Sequence, residues 1–408
     1  MRLARIGSGA WHTDPAVSVL ANMGRRTFAP YKAEPGGQLF PHRRALLRWE
    51  ATMDGMDAMD LQGWLQALDN ADIRAPGQLD PTGRLMRRAE RAASALERQD
   101  PAAAEVAWGH LARHGARDAD ARRARCLERL GRSADAVAIL NVRLPEHDAI
   151  GKRLSRALGK SWPPLAPRDA APLRDVRLPG AGRSATRPLY ATRPEGDTVE
   201  AAVTQFVRSA GREVVAGEGR PWAAIASVLC AELLFLPLPG ALPVPFLDAP
   251  VDYGTRAFAR SRAAPIATLK AAIGRDPQGI WRQSLATAGR WQLRGRDPTL
   301  RTSTLDSLAT AAPTSLLQHL VDVYVGDGIG GFAGWPDLSL PPGPSVVLPD
   351  AFPPQLPVGL VLAELKTPGD ALAPHQARVH HQLLNLGVCV ELWRIRPSPS
   401  VDAAMSRG

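Results

Sequence analysis

The chain has 408 residues, of which 45% are hydrophobic and 22% charged; this composition predicts a globular protein of two or three domains and excludes a chain disordered throughout. Fifty basic residues against 40 acidic ones leave a net charge of +10, which predicts anionic partners. The three cysteines, Cys126, Cys230 and Cys389, have neither metal-ligand spacing nor a disulfide framework, and they fit a reducing cytoplasm.

At the start, MRLARIGSGAWHTDPAV has no apolar core of the kind a signal peptide needs. Residues 1–83 read as an N-terminal helical region, with Leu46, Leu47 and Trp49 falling within about one turn. Residues 84–160 read as short helices in succession, LMRRAERAASALE, AAAEVAWGHLARHG, DADARRARCLERLG and SADAVAILNVRL, with Gly115, Gly131 and Pro145 between them. Small residues at close spacing in paired helices resemble a short tetratricopeptide repeat.

Residues 161–196 contain seven prolines and no sustained period, which predicts a Pro-rich basic linker. Residues 197–301 restart as helices, TVEAAVTQFVRSAG and then PWAAIASVLCAELLF with Pro221 in the first turn, followed by an arginine-rich helical stretch. The most apolar segment, 221–247, is interrupted by Glu232 and four prolines, so no membrane span is expected. From 302 to 400 the character changes: GWPDLSL, VGLVLAELK and VCVELWRI read as strands. APHQARVHHQLLNLG reads as a helix opened by Pro374 and closed by Gly387.

Charge is distributed unevenly along the chain. Residues 1–150 are nearly neutral, 151–193 carry 10 basic against 2 acidic residues, 194–255 carry 3 against 8, 256–301 carry 10 against 2, and 302–408 carry 5 against 9. Basic segments alternating with acidic ones suit walls that hold a phosphate backbone around carboxylates that hold a metal. Solvated helix faces would produce the same counts.

Within the carboxy-terminal strands, Asp337 ends a strand-like piece, and Glu364 and Lys366 sit two apart in the next. A period of two therefore turns both side chains to one face. A carboxylate from each of two adjacent strands suits Mg²⁺, and a lysine beside them can hold a water or neutralise a phosphate. Only five of the 50 basic residues are lysines, and one stands in this apolar strand after a Pro-Asp. This is the logic of PD-(D/E)xK nucleases, weighed against a turn and an ordinary surface strand. His375, His380 and His381 are expected to be solvated or DNA-facing, and Trp281, Trp291 and Trp335 to be core.

GGFAGWPDLSL, LVLAELKTPGDALAPHQ and LLNLGVCVELWRI, in that order, resemble the VRR-NUC nuclease domain. The region from Val199 to Arg262, with its Glu-Gly before a helix, resembles what precedes that domain in the Fanconi-associated nuclease family. The resemblance implies an α/β architecture, with a mostly helical amino-terminal half and a carboxy-terminal PD-(D/E)xK fold of mixed sheet flanked by helices, the VRR-NUC core spanning 302–400. It implies Glu218, Asp337, Glu364 and the Leu365 carbonyl as ligands of Mg²⁺ or Mn²⁺. Lys366 is then the catalytic lysine, and Gln376 supports it. Arg220, Arg290, Arg294 and Arg296 are the expected DNA-binding residues.

The function implied is a metal-dependent, structure-specific DNA nuclease cutting branched, flapped or nicked DNA, as in crosslink repair, with a helical repeat available to protein partners. Two alternatives differ in class: a dimeric Holliday-junction resolvase, and a catalytically weak DNA-binding scaffold. The chain departs from the family in lacking counterparts of its SAP-type module and zinc finger, and in having no basic residue from 327 to 365, where eukaryotic members place arginines near the flap phosphate.

Overall fold

A computed structural model describes residues 29–30, 44, 55, 59–69, 82–116, 118–141, 144–164, 171–178, 180–183, 188–190, 198–238, 241–242, 247–250, 252–253, 256–293, 295, 297 and 300–397. The described part of the amino-terminal region forms helices α1 (Leu61–Asp69), α2 (Thr82–Gln99), α3 (Pro101–Arg113), α4 (Ala119–Arg129), α5 (Ser133–Ile139) and α6 (Pro145–Ala157). Next come strands β1 (Leu173–Leu178), β2 (Gly180–Arg183) and β3 (Pro188–Tyr190), helix α7 (Val199–Ser209), strand β4 (Val215–Ala216), and helices α8 (Arg220–Leu229) and α9 (Ala231–Leu234). Helices α10 (Arg256–Ser261), α11 (Ala263–Arg275), α12 (Pro277–Ala288), α13 (Thr302–Ala311) and α14 (Thr314–Asp327) lead to β5 (Leu338–Leu340), β6 (Ala351–Phe352), β7 (Val361–Lys366), α15 (Pro374–Asn385) and β8 (Cys389–Pro397). No helix among the described residues is long and apolar enough to cross a membrane.

The chain divides into two compact units. One takes its described residues from 1–164, 226–296 and 318–331, the other from 165–225, 297–317 and 332–408. The first unit is helical. Its caps are legible locally: Asp100 accepts from the Ala103 amide at 3.0 Å with Pro101 in the first turn of α3, and Asp276 does the same for Gly279 at 2.8 Å ahead of α12. Leu65 and Leu68 of α1 share a core with Ala89 and Ala93 of α2 and with Ala107, Trp108 and Leu111 of α3. Of the 1–83 region, most lies outside the described residues, and α1 is its described helix.

The second unit is built on a sheet in which the described strands run in the order β4-β5-β7-β8-β1-β6, with β7-β8 and β8-β1 parallel and β4-β5, β5-β7 and β1-β6 antiparallel. The expected β, β, α, β order of the last eighty residues is present as β5, β7, α15 and β8, with the short β6 between the first two. Val361, Ala363 and Leu365 of β7 turn into a core with Val203 and Val207 of α7, which leaves Glu364 and Lys366 for the opposite face. Of the tryptophans expected in the core, Trp281 and Trp335 are buried and Trp291 is half-buried.

The expected linker 161–196 is corrected by β1. Leu173–Leu178 alternates, burying Arg174, Val176 and Leu178, and pairs in parallel with β8 over its whole length. Proline density around it hid a six-residue period of two. Its Arg174 is no phosphate contact: Nε and Nη2 donate to the two oxygens of Glu391 at 2.7 Å each, 217 residues away. Trp393 Nε1 also donates to Glu391 at 2.7 Å. The basic stretch 256–301 is likewise partly spent inside its own unit, because Arg262 is fully buried on Asp252 at 2.7 Å and Lys270 pairs with Asp322.

Candidate active site

The site begins with register. Leu338 faces Ala363 across the antiparallel β5-β7 ladder, so the next step outward sets Asp337 against Glu364, on the same side of the sheet. Asp337 sits one residue before β5 begins, which corrects its expected place at a strand's end, and there the Leu365 amide lies beyond the paired stretch of β5. It donates instead to Asp337 Oδ2 at 2.8 Å. In an extended strand the N–H and C=O of one residue leave by the same edge, so the Leu365 carbonyl also faces the Asp337 side.

Two residues along β7, Lys366 Nζ lies 2.7 Å from Glu364 Oε1, as the period of two predicts. Gln376, in the first turn of α15, ties the pair together: its Nε2 donates to Glu364 Oε1 at 2.6 Å, and its Oε1 accepts from Lys366 at 3.0 Å and from the Ala373 amide at 3.0 Å. Gln376 thus supplies half of a capping box and at the same time orients the lysine. From the next turn, His380 Nε2 stands 3.6 Å from Glu364 Oε2. His380 is buried, which corrects the expectation that it is solvated or DNA-facing. At one turn from Gln376, it lies on the side of α15 that covers the sheet.

Electrostatically the Asp337 carboxylate is under-compensated. Burial pushes the Asp337 carboxyl up to about 7, and the neighbouring Glu364 charge adds to this, while the Leu365 amide and Lys366 pull the other way. Glu364 Oε2 is buried and accepts no hydrogen bond among the described residues. A buried carboxylate raised in this way, an unbonded oxygen on the neighbouring one and a carbonyl beside them are a donor set that fits a hard divalent cation.

Glu218 arrives from the other side. Gly219, at φ +70°, has the Phe332 carbonyl where a Cβ would lie, 2.3 Å away, so the Glu-Gly pair ahead of α8 needs its glycine. Trp222 Nε1 donates to Ser339 Oγ at 2.9 Å, holding the start of this helix against β5. Glu218 itself is exposed, and its Oε1 accepts from the Gly334 amide at 3.2 Å. Among the described residues the carboxylates of Glu218, Asp337 and Glu364 do not all come within 4.8 Å of one another; Glu218 is exposed where Asp337 is half-buried and Glu364 buried, which puts it at the rim of the group.

Asp337 opens into a cleft of about 930 Å³ lined also by Glu200, Arg208, Glu213, Glu218, Arg220 and Arg301. Glu200 contributes to raising the Asp337 pKa. Sequence reading passed it over because an acid in a helix's first turn reads as a dipole contact. Lys366 opens on a second cleft, of about 520 Å³, with Arg394 and Arg396 on its wall. Their guanidinium groups are about half exposed and each lies 3.6 Å from Asp175. Both were hidden by an alternating strand in which they read as ordinary surface residues. Of the expected DNA contacts, Arg220 is exposed, 3.6 Å from Asp297, and Arg290 is exposed at the end of α12, in the helical unit. Arg294 and Arg296 lie outside the described residues.

Over 292 residues, 66% of this chain, the sequence is 29% identical to the Fanconi-associated nuclease 1 homolog of Pseudomonas aeruginosa. That match takes in 47% of the relative, so the chain spans about half the length of the curated protein it resembles. Two solved structures share its fold, paFAN1 bound to 2nt 5′ flap DNA with gap and paFAN1 bound to 1nt 5′ flap DNA with gap, at TM-scores of 0.65 and 0.64 and 21% identity. Each superposition covers 98% of this chain and 70% or 71% of the other. No family model matches the chain. The sequence relative belongs to the group that the local motifs resemble, and the two solved structures share the fold.

Proposed function

We propose that this chain is a divalent-metal-dependent DNA nuclease acting on branched or flapped DNA, with Asp337, Glu364, Lys366 and Gln376 at its catalytic centre. The observation that carries the reading is the convergence of Asp337 and Glu364 across one strand pair, with Lys366 and Gln376 on the same Glu364 oxygen. Its similarity to a curated nuclease and to a fold solved on flap DNA supports the choice of substrate.

Asp337, Glu364 and the Leu365 carbonyl would hold the cation, Mg²⁺ or Mn²⁺, with Glu218 at the rim. When bound, such an ion supplies charge stabilisation to a phosphate oxygen and acidifies a water. The residues of the chain do the rest. Lys366, fixed by Gln376, would orient the attacking water and take part of the developing charge. His380 closes the Glu364 side with a buried ring. Arg394 and Arg396 line the cleft on the Lys366 side, and Arg220 and Arg301 line the one on the Asp337 side. Both pairs suit a phosphate backbone. In-line displacement then leaves a 5′ phosphate and a 3′ hydroxyl. A role in crosslink repair, a cytoplasmic location and protein partners on the helical repeat complete the proposal.

The test is cleavage of labelled flap, junction, nicked and single-stranded DNA, with and without Mg²⁺ or Mn²⁺. Flap cleavage that requires the cation and disappears in Asp337→Ala and Lys366→Ala, with DNA binding retained, is the expected result. Binding without metal-dependent cleavage would leave a DNA-binding scaffold, and cleavage confined to four-way junctions by a dimer would make the protein a resolvase.

A further inference from the structure

The helical unit carries a second cluster of ligand-type side chains. His110 and His114 lie one turn apart on α3, and their rings stack at 5.1 Å between centroids with 20° between planes. Their Nε2 atoms converge on a single oxygen, Asp69 Oδ1, at 3.1 and 2.9 Å. Asp69 is the last residue of α1. Among the described residues, no other group of three His, Cys, Asp or Glu side chains brings its ligand atoms within 4.8 Å of one another.

Hydrogen bonding alone leaves the cluster incomplete. His114 makes a hydrogen bond to Asp69, but His110 Nε2, although buried and close to the same oxygen, makes none. The ligand atoms of all three residues lie within 4.8 Å of one another, and the two imidazole–carboxylate separations are a few tenths of an ångström below the roughly 3.3 Å between ligand atoms on a tetrahedral zinc ion with bonds of 2.0–2.1 Å. The frame is firm, because Leu65 and Leu68 of α1 and Ala107, Trp108 and Leu111 of α3 share one core, and a site on packed helices keeps its geometry.

We infer that Asp69, His110 and His114 form a zinc-class cation site that clips the end of α1 to α3. Two imidazoles and one carboxylate select a borderline ion such as Zn²⁺ over Mg²⁺, which prefers all-oxygen surroundings. The carboxylate is about half exposed, so the ion reaches it from solvent and the fourth position takes water. Arg113 donates to His110 Nδ1 at 3.2 Å. When Nε2 takes the metal, Nδ1 carries the ring proton, and the exposed Arg113 side chain swings away. The ion would join residues 45 positions apart in the chain, tying down a long segment.

The site lies outside the group proposed for catalysis, so its test is independent of that proposal. ZnCl₂ is titrated calorimetrically into the full-length protein, and Co²⁺ binding is followed by its visible absorption. Wild type is compared with Asp69→Asn and His114→Gln, each also in a Glu364→Gln background, with circular dichroism as the check on folding. One equivalent of Zn²⁺ and a tetrahedral Co²⁺ band, both lost in Asp69→Asn and His114→Gln but kept in Glu364→Gln alone, is the expected result. Equal zinc stoichiometry in wild type and both cluster variants would overturn the inference, as would the absence of Zn²⁺ binding by wild type. If His114→Gln fails to fold, His110→Gln takes its place with the same two outcomes.

Discussion

Gln376 Nε2 donates to Glu364 Oε1 at 2.6 Å while its own carbonyl oxygen accepts from Lys366 at 3.0 Å. One amide therefore orients both charged groups of the Glu-x-Lys strand, and its removal should loosen the lysine without removing a ligand. Gln376→Ala is expected to lower the cleavage rate by about 10²-fold and Lys366→Ala by at least about 10²–10³-fold, the range for loss of a group positioned on developing charge. Single-turnover cleavage at saturating Mn²⁺ measures both, and a Gln376→Ala rate equal to wild type would reduce the residue to a helix cap.

The Asp337 carboxyl, raised by burial to about 7 from an ordinary 3.8, favours its protonated form in the folded state. This group's contribution to stability is complete below the unfolded value and is lost as pH rises through the folded one. In EDTA, the melting temperature of wild type should therefore fall relative to Asp337→Asn between about pH 4 and pH 7. Adding Mn²⁺ should close that gap by drawing off the proton. Parallel melting curves in EDTA would mean that the carboxyl ionises normally.

Glu218 separates a ligand from a loop clasp. As a rim ligand, it should show weaker dependence than Glu364: Glu218→Gln is expected to need more Mn²⁺ for half-maximal cleavage and to regain activity at high Mn²⁺, whereas Glu364→Gln stays inactive throughout. Superimposable metal titrations of wild type and Glu218→Gln would leave the residue only its hydrogen bond to Gly334.

Arg174 and Glu391 are both buried, so truncating one strands the other. Arg174→Ala is expected to cost about 3–5 kcal/mol, and Arg174→Met with Glu391→Met less than that, the remaining loss coming from the Trp393 Nε1 left without Glu391. Urea unfolding of the three proteins decides it, and a small loss in the single variant would show that Glu391 finds water or another donor.

What the sequence determined by itself is whatever depends on neighbours in the chain. The period of two turned Glu364 and Lys366 to one face, Pro374 marked the first turn of α15, and Gly387 closes that helix at φ +79°. A single short element reports its own face and its own ends, because side-chain direction and capping are local. Which elements meet was decided only by tertiary structure. β1 hid among prolines because its partner β8 lies more than 200 residues away, and the hydrogen bond from Gly334 to Glu218 spans 116 positions. The burial of His380 against Glu364 depends on how α15 lies on the sheet, and the convergence of Asp69 with His110 and His114 depends on α1 packing against α3. Such contacts leave no period in the chain, since long-range pairing is selected by burial of complementary faces against the entropy of closing the loop between them.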